Sequence, residues 1–308
     1  MIKNFYYLLV ALTVITIVSG CNCNKSLLKR ENLCQDEVNY TPEGIADYDA
    51  LVFKSQGAEI YGQILKPNQS FGANRPCVIF FHGFAGFARF DDVAQALCRS
   101  GCVVLIVHHR GAWGSQGKYS ISNCIQDAVG LTQYVKSAEF TKKYRTNADL
   151  VYLIGHSMGG NTALNAAVQV SGVKGIVLLA PCDIGTMTKQ MTKSKMRSFL
   201  IDNGLEVLKT DGFEAVYNDL AKNASRYSFS NAATKLNNTS VLLITGQLDT
   251  CISNELLMTF YGVATKNKTV PLCKYKSYKS KHGLMGVRVK ISGDIADFIL
   301  QTANKWKF

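Results

Sequence analysis

Five apolar runs, separated by segments with helical spacing, constrain this chain more than any other feature. Residues 77–81, 102–107, 150–155, 173–180 and 240–245 are dominated by Val, Ile, Leu, Phe and Cys. Runs of this kind suit strands covered on both faces. Residues 91–99, 123–137 and 158–170 lie between them as helices, and in the first of these Val93, Ala96 and Leu97 fall on one face before Gly101 stops it. Such alternation predicts an α/β chain with a mostly parallel sheet, right-handed crossovers and helices on both faces. Ahead of it, residues 49–54 and 58–65 alternate around Ser55-Gln56-Gly57 and read as a hairpin closed by Pro67. The alternation pauses over residues 184–236, which are helical and carry Met187, Met191, Met196, Phe199 and Tyr217. This stretch reads as a small cap inserted above the carboxyl ends of the strands, where open α/β sheets bind ligands. A helix over 254–264, a strand over 270–278 and a last helix over about 291–303 complete the pattern. At 308 residues and 47% hydrophobic content, the chain has enough apolar material for one large domain over 45–308 that includes the cap.

The N-terminus has a separate logic. Lys3 precedes an apolar run from Phe5 to Val18, interrupted only by Thr13 and Thr16 and too short to cross a bilayer comfortably. Residues 1–20 read as a signal peptide. Val18-Ser19-Gly20-Cys21 resembles the lipobox of bacterial lipoproteins, in which the peptide is cut before the cysteine and that cysteine is lipidated. The resemblance implies lipid attachment at Cys21, a tether over 21–44 and a membrane partner on a periplasmic or cell-surface face. An ordinary secretory signal cut nearby, or a single short anchor, is the alternative. The net charge of +12 permits attraction to anionic membranes or nucleic acid, but the lysines are scattered, and no nucleic-acid partner is expected. Ten cysteines become nine without Cys21, so they cannot all pair; Cys98 with Cys102 and Cys23 with Cys34 stand as possible bridges. Neither their spacing nor the five histidines point to a zinc site, and no metal or organic cofactor is expected.

Gly155-His156-Ser157-Met158-Gly159-Gly160 lies between a strand and a helix. In that context Gly-x-Ser-x-Gly is a nucleophile elbow: a sharp turn holds the serine above the sheet, and only small residues fit two positions to either side. A nucleophilic serine needs a base. His156 flanks Ser157 within the turn, while His82, His108 and His109 end earlier strands. Triads on such elbows run serine, acid, histidine along the chain, and His282 alone among the histidines follows Ser157. The orienting acid has two candidates. Asp249 follows the run 240–245 in Gly246-Gln247-Leu248-Asp249, and Asp183 follows the preceding run in Ala180-Pro181-Cys182-Asp183. The glycine turn and the position one strand before the histidine favour Asp249. An oxyanion hole needs two N–H donors, assigned to Met158 after the nucleophile and to Phe84 in Phe81-His82-Gly83-Phe84-Ala85-Gly86.

From about Asp49 onward the chain resembles the α/β-hydrolase superfamily. His109-Arg110-Gly111-Ala112-Trp113-Gly114-Ser115-Gln116-Gly117 is similar to the Arg-Gly-x-Gly-x-Ser loop of its esterase, monoacylglycerol-lipase-like, dienelactone-hydrolase-like and serine-aminopeptidase-like branches. The resemblance implies that this loop is structural and borders the site, so Ser115 is not catalytic. Relatives often carry an acid before the arginine, where this chain has His108-His109. The expected reaction is hydrolysis of a small or medium carboxylic ester through an acyl-enzyme, with a short peptide as alternative substrate. A lipid-anchored protein that binds without turnover is the third reading.

Overall fold

The computed structural model describes residues 27–36 and 44–304. The signal segment, Cys21 and Cys23 lie outside the described residues. Eight strands form one sheet in the order β1-β2-β4-β3-β5-β6-β7-β8. In chain order these are β1 (Asp47–Ser55), β2 (Ala58–Lys66), β3 (Arg75–Phe81), β4 (Val103–Val107), β5 (Thr146–His156), β6 (Gly175–Leu179), β7 (Ser240–Gly246) and β8 (Cys273–Tyr278). The first two pair antiparallel across a turn at Gln56-Gly57, where both residues have positive φ (47° and 83°), the geometry that matches strand twist in a tight hairpin. From β4 to β8 every pairing is parallel.

The apolar runs are buried on both faces because their alternate side chains feed two cores. Cys77, Ile79 and Phe81 of β3 face one core and Val78 and Phe80 the other. The first core is closed by α2 (Ile121–Val135), α3 (Ala138–Tyr144), α4 (Met158–Gln169) and α9 (Asn254–Lys266), and the second by α1 (Asp91–Ser100) and α10 (Arg288–Asn304). Between β6 and β7 run α5 (Ile184–Gln190), α6 (Lys193–Asp202), α7 (Gly212–Asn223) and α8 (Phe229–Lys235). Their buried residues, among them Met196, Leu200, Val216 and Leu220, join the first core. The methionines of this stretch therefore divide: Met196 is fully buried and Met187 nearly so, while Met191 is half-buried.

Two expectations change. Residues 27–36, expected as tether, pack onto the domain: Leu28 and Leu33 are buried in the second core, Lys29 N–H donates to Ser100 O, and Arg99 donates to the carbonyls of Asn32 and Leu33. Leu28 just before a short 3-10 turn (Arg30–Leu33) and Leu33 at its end supply the apolar contact that a free tether lacks. Cys98 and Cys102 are both buried, and like the other six cysteines among the described residues they are unbridged. Among the described residues, no helix is long and apolar enough to cross a membrane.

Candidate active site

The turn joining β5 to α4 is built on absent side chains. Ser157 has φ 52° and ψ −119°, a conformation that L residues rarely adopt and that costs roughly 1–3 kcal/mol. A Cβ on Gly155 would lie 2.0 Å from Gly159 O, and one on Gly159 would lie 2.0 Å from Phe81 O. Both obstacles are backbone, so neither glycine tolerates a side chain. Three hydrogen bonds fix the turn: Ser157 N–H donates to Leu179 O, and Ser157 O accepts from the N–H groups of Gly160 and Cys182. The serine is left half-buried at the mouth of a cavity, at the start of a helix whose dipole favours negative charge.

His282 lies in the loop between β8 and α10, and Asp249 in the loop after β7. His282 Nδ1 donates to Asp249 Oδ2 at 2.8 Å. The other carboxylate oxygen accepts from Cys251 N–H at 2.9 Å and Ile252 N–H at 3.2 Å. Burial alone would raise the Asp249 pKa, but His282 and the two backbone donors outweigh it and hold the carboxyl below its ordinary value. The rival, Asp183, caps α5: it accepts from Thr186 N–H at 3.0 Å and from the Thr186 hydroxyl at 2.7 Å. It is thus committed to a helix start, away from any histidine hydrogen bond.

Other residues, unassigned by sequence reasoning, hold the histidine loop. His156 Nε2 donates to the His282 carbonyl at 3.0 Å. Burial, followed by the neighbouring His282, lowers the His156 pKa to about 3, so this imidazole is a neutral strut. Arg288 donates to Gly283 O at 2.8 Å and stacks its guanidinium over Phe90, 3.4 Å from the ring centroid. The presence of His156 inside the elbow motif was the signal available; its partner is 126 positions away.

The loop that carries the second candidate donor, Phe84, follows β3. Phe84 opens a 3-10 turn (Phe84–Gly86) and Met158 opens α4. The N–H groups that start a helix have no intrahelical acceptor. Both residues line the same cavity as Ser157. The loop is clasped from two sides. His82 Nδ1 donates to Gly83 O at 2.7 Å, its Nε2 accepts from His109 N–H at 3.2 Å, and His109 Nε2 donates back to His82 O at 3.1 Å. Burial drives His82 well below its usual pKa and His109 to about 4, so both are neutral. On the other side, the Trp113 indole donates to Ala85 O at 2.6 Å. Gly86, at φ 88°, leaves room for that indole: a Cβ there would meet Trp113 Nε1 at 2.3 Å.

The Arg110 loop carries support, as its motif implied. Arg110 forms a two-pronged buried ion pair with Asp127 and also reaches the Ser55 hydroxyl. The Ser115 hydroxyl donates to His108 O and accepts Tyr61 N–H, both at 3.0 Å, which ties the loop to β2 and β4. Just before Arg110, the His108 carbonyl accepts from Ser115 and the His109 imidazole pairs with His82.

These loops enclose a cavity of about 230 Å³. Phe84, Phe87, Phe199 and Ile252 make its wall largely apolar, while Asp202 and Asn203, at the end of α6, add polar atoms at the cap side. Two roomier depressions, about 480 and about 680 Å³, lie at the opposite end of the sheet and are lined by no histidine.

The sheet order, the strand-to-helix turn at Ser157 and the loops above it define the α/β-hydrolase fold, which the chain shares with solved esterase structures. A family model described as serine aminopeptidase, S33, matches residues 72–207, a stretch that holds Phe84, Ser157 and Met158 and ends before Asp249 and His282. Monoglyceride lipase from Rattus norvegicus is 26% identical over 171 residues, 53% of this chain and 54% of the lipase. Gibberellin receptor GID1C from Arabidopsis thaliana is 29% identical over 133 residues, 40% of this chain and 37% of the receptor. The chain thus spans about half or less of the curated relatives it matches. Among solved structures, Est1E from Butyrivibrio proteoclasticus with bound ferulic acid superposes with a TM-score of 0.65 at 19% identity, covering 83% of this chain and 100% of that one.

Proposed function

We propose that the protein is a serine hydrolase that cleaves a carboxylic ester through an acyl-enzyme. Ser157 is the nucleophile, His282 the base and Asp249 its orienting acid. The observation that carries the reading is the 2.8 Å hydrogen bond from His282 Nδ1 to Asp249 beside a cavity lined by Ser157. With Nδ1 protonated and donating to the carboxylate, Nε2 is the free base. It takes the hydroxyl proton as Ser157 Oγ bonds the substrate carbonyl, then returns it to the leaving alcohol as the C–O bond breaks. Water repeats the cycle on the acyl-enzyme and releases the acid. The N–H groups of Phe84 and Met158 stabilise the oxyanion in both halves.

The apolar wall supports an acyl group of modest size, and the relatedness to monoglyceride lipase supports an ester. A second reading, removal of an N-terminal residue from a short peptide, is favoured by Asp202 at the cavity and by the serine aminopeptidase model. A single exposed carboxylate is a weak amine anchor, which places this reading behind the first. Relatedness to a gibberellin receptor keeps ligand binding without turnover as the third. Turnover of p-nitrophenyl esters against aminoacyl anilides tests all three. Preference for short and medium esters supports the proposal, preference for anilides transfers it to peptides, and turnover of neither series overturns it.

We propose in addition that Cys21, which lies outside the described residues, carries a lipid that tethers the protein to a membrane. Metabolic incorporation of a labelled fatty acid, lost in Cys21→Ser, supports this; an unlabelled product, or label that survives the substitution, overturns it.

A further inference from the structure

Cys251 follows Asp249 by two positions, is exposed, and is bridged to no other cysteine. One ligand-capable atom each from Asp249, Cys251 and His282 lies within 4.8 Å of the other two. We propose that these three side chains form an inhibitory site for a thiophilic divalent cation of the zinc class. The donor set is one carboxylate oxygen, one imidazole nitrogen and one sulfur, the mixture that zinc and cadmium prefer over magnesium or calcium. Zinc bonds of about 2.0–2.3 Å in a tetrahedron set ligand atoms roughly 3.5 Å apart, so the sulfur must close on a carboxylate and imidazole that already lie 2.8 Å from each other. Two are already fixed. Asp249 is held by the N–H groups of Cys251 and Ile252, and the His282 loop by His156 and Arg288. The exposed thiol supplies the movement, and the fourth position is left to solvent.

A cation at this point meets the Asp249 carboxylate and the thiol together, within the same 4.8 Å cluster. A divalent ion replaces the thiol proton and lies between thiolate and carboxylate, so each binding event releases one proton. The consequence for turnover rests on the proposed role of His282, although binding does not. Coordination through Nδ1 breaks the hydrogen bond to Asp249 and leaves the ring proton on Nε2, the nitrogen that must accept the Ser157 proton. Coordination through Nε2 occupies that nitrogen outright. Either way the base is lost. The spacing of cysteines and histidines along the chain conceals this site, because His282 is 33 positions from Asp249 and on a different loop.

Cadmium is the direct probe, since a Cd–thiolate bond gives an ultraviolet charge-transfer band independent of activity. Titration of the full chain with Cd²⁺ should develop the band, Cys251→Ser should lose one equivalent of it, and Cys34→Ser should keep that equivalent. In parallel, Zn²⁺ should suppress fluorophosphonate labelling of the wild type and spare labelling of Cys251→Ser. A band unchanged by Cys251→Ser overturns the site. A band lost as expected, with labelling insensitive to Zn²⁺, overturns the inhibitory role. If the wild type fails to label at all, the hydrolase reading falls while the cadmium difference still decides the metal site.

Discussion

Replacing Asp249 by Asn changes one atom and reverses a hydrogen bond. Oδ1 accepts two backbone N–H groups, from Cys251 at 2.9 Å and Ile252 at 3.2 Å. An amide nitrogen placed there would set donor against donor, so the Asn oxygen keeps that position and its NH₂ turns to His282. An NH₂ group only donates, so His282 Nδ1 must become the acceptor and its proton moves to Nε2. The base is then present in the wrong tautomer. For such a change the expected loss is about 10⁴-fold in kcat, which is about 5 kcal/mol of transition-state stabilisation. Folding stability should change by no more than about 1 kcal/mol, because both backbone bonds survive. Asp183→Asn is the matched control. Asn caps helices as well as Asp does, and this residue accepts from Thr186 N–H and the Thr186 hydroxyl. It should stay within about threefold of wild-type activity, a barrier change under about 0.7 kcal/mol. The assay is kcat and KM on a p-nitrophenyl ester, with thermal melts to verify folding. The reasoning is refuted if Asp249→Asn keeps more than about a tenth of wild-type kcat, a barrier change under about 1.4 kcal/mol, or if Asp183→Asn is the more damaging variant.

Three further outcomes are expected. Gly159→Ala forces a Cβ to within 2.0 Å of Phe81 O and 2.6 Å of His82 O, both backbone atoms that lead into the Phe84 loop. It should cost roughly 3 kcal/mol in urea denaturation and abolish turnover; wild-type stability would contradict the packing account. Arg110→Met strands Asp127, whose side chain is 6% exposed, and should cost about 3–5 kcal/mol. Pairing it with Asp127→Leu should recover much of that loss, and a double variant no better than the single would count against an ion-pair origin. The third concerns acid. Burial lowers His156 to about 3 and His109 to about 4 from an ordinary 6.5, so the unfolded chain binds protons that the folded one refuses. Stability is full above pH 6.5 and is lost progressively as the pH falls towards these folded values. The melting temperature should drop between about pH 7 and about pH 5, and His156→Gln should flatten part of that slope; a slope unchanged in the variant would show that His156 is not its source.

The alternating strands and helices were legible because each buried strand carries a continuous apolar run, and the runs over 77–81 and 240–245 match β3 and β7 closely. The elbow was legible because its Gly-x-Ser-x-Gly spacing falls on a strand-to-helix junction, although only Gly155 answers to a contact within the turn and Gly159 is held by the backbone of distant Phe81. Boundaries set by long-range pairing were less so: β5 begins at Thr146, four residues before its apolar run, where Arg75 of β3 pairs with it. The packed segment 27–36 was read as tether because three leucines among charged residues carry no periodic signal. Of the candidate site, the sharp turn at Ser157 and the pairing of His282 with Asp249 instead of Asp183 were anticipated from chain order and turn chemistry. The struts did not. His156, Arg288, Trp113 and the His82–His109 clasp act through carbonyls distant in sequence, and backbone acceptors leave no mark on residue identity.

The central claim is that Ser157 is an activated nucleophile, and reaction with a fluorophosphonate probe tests it most directly. Full-length protein should label once, with the adduct mapped by mass spectrometry to the peptide containing Ser157, and Ser157→Ala should fold normally and remain unlabelled. Undiminished labelling of Ser157→Ala, or no labelling of well-folded wild type, would contradict the account.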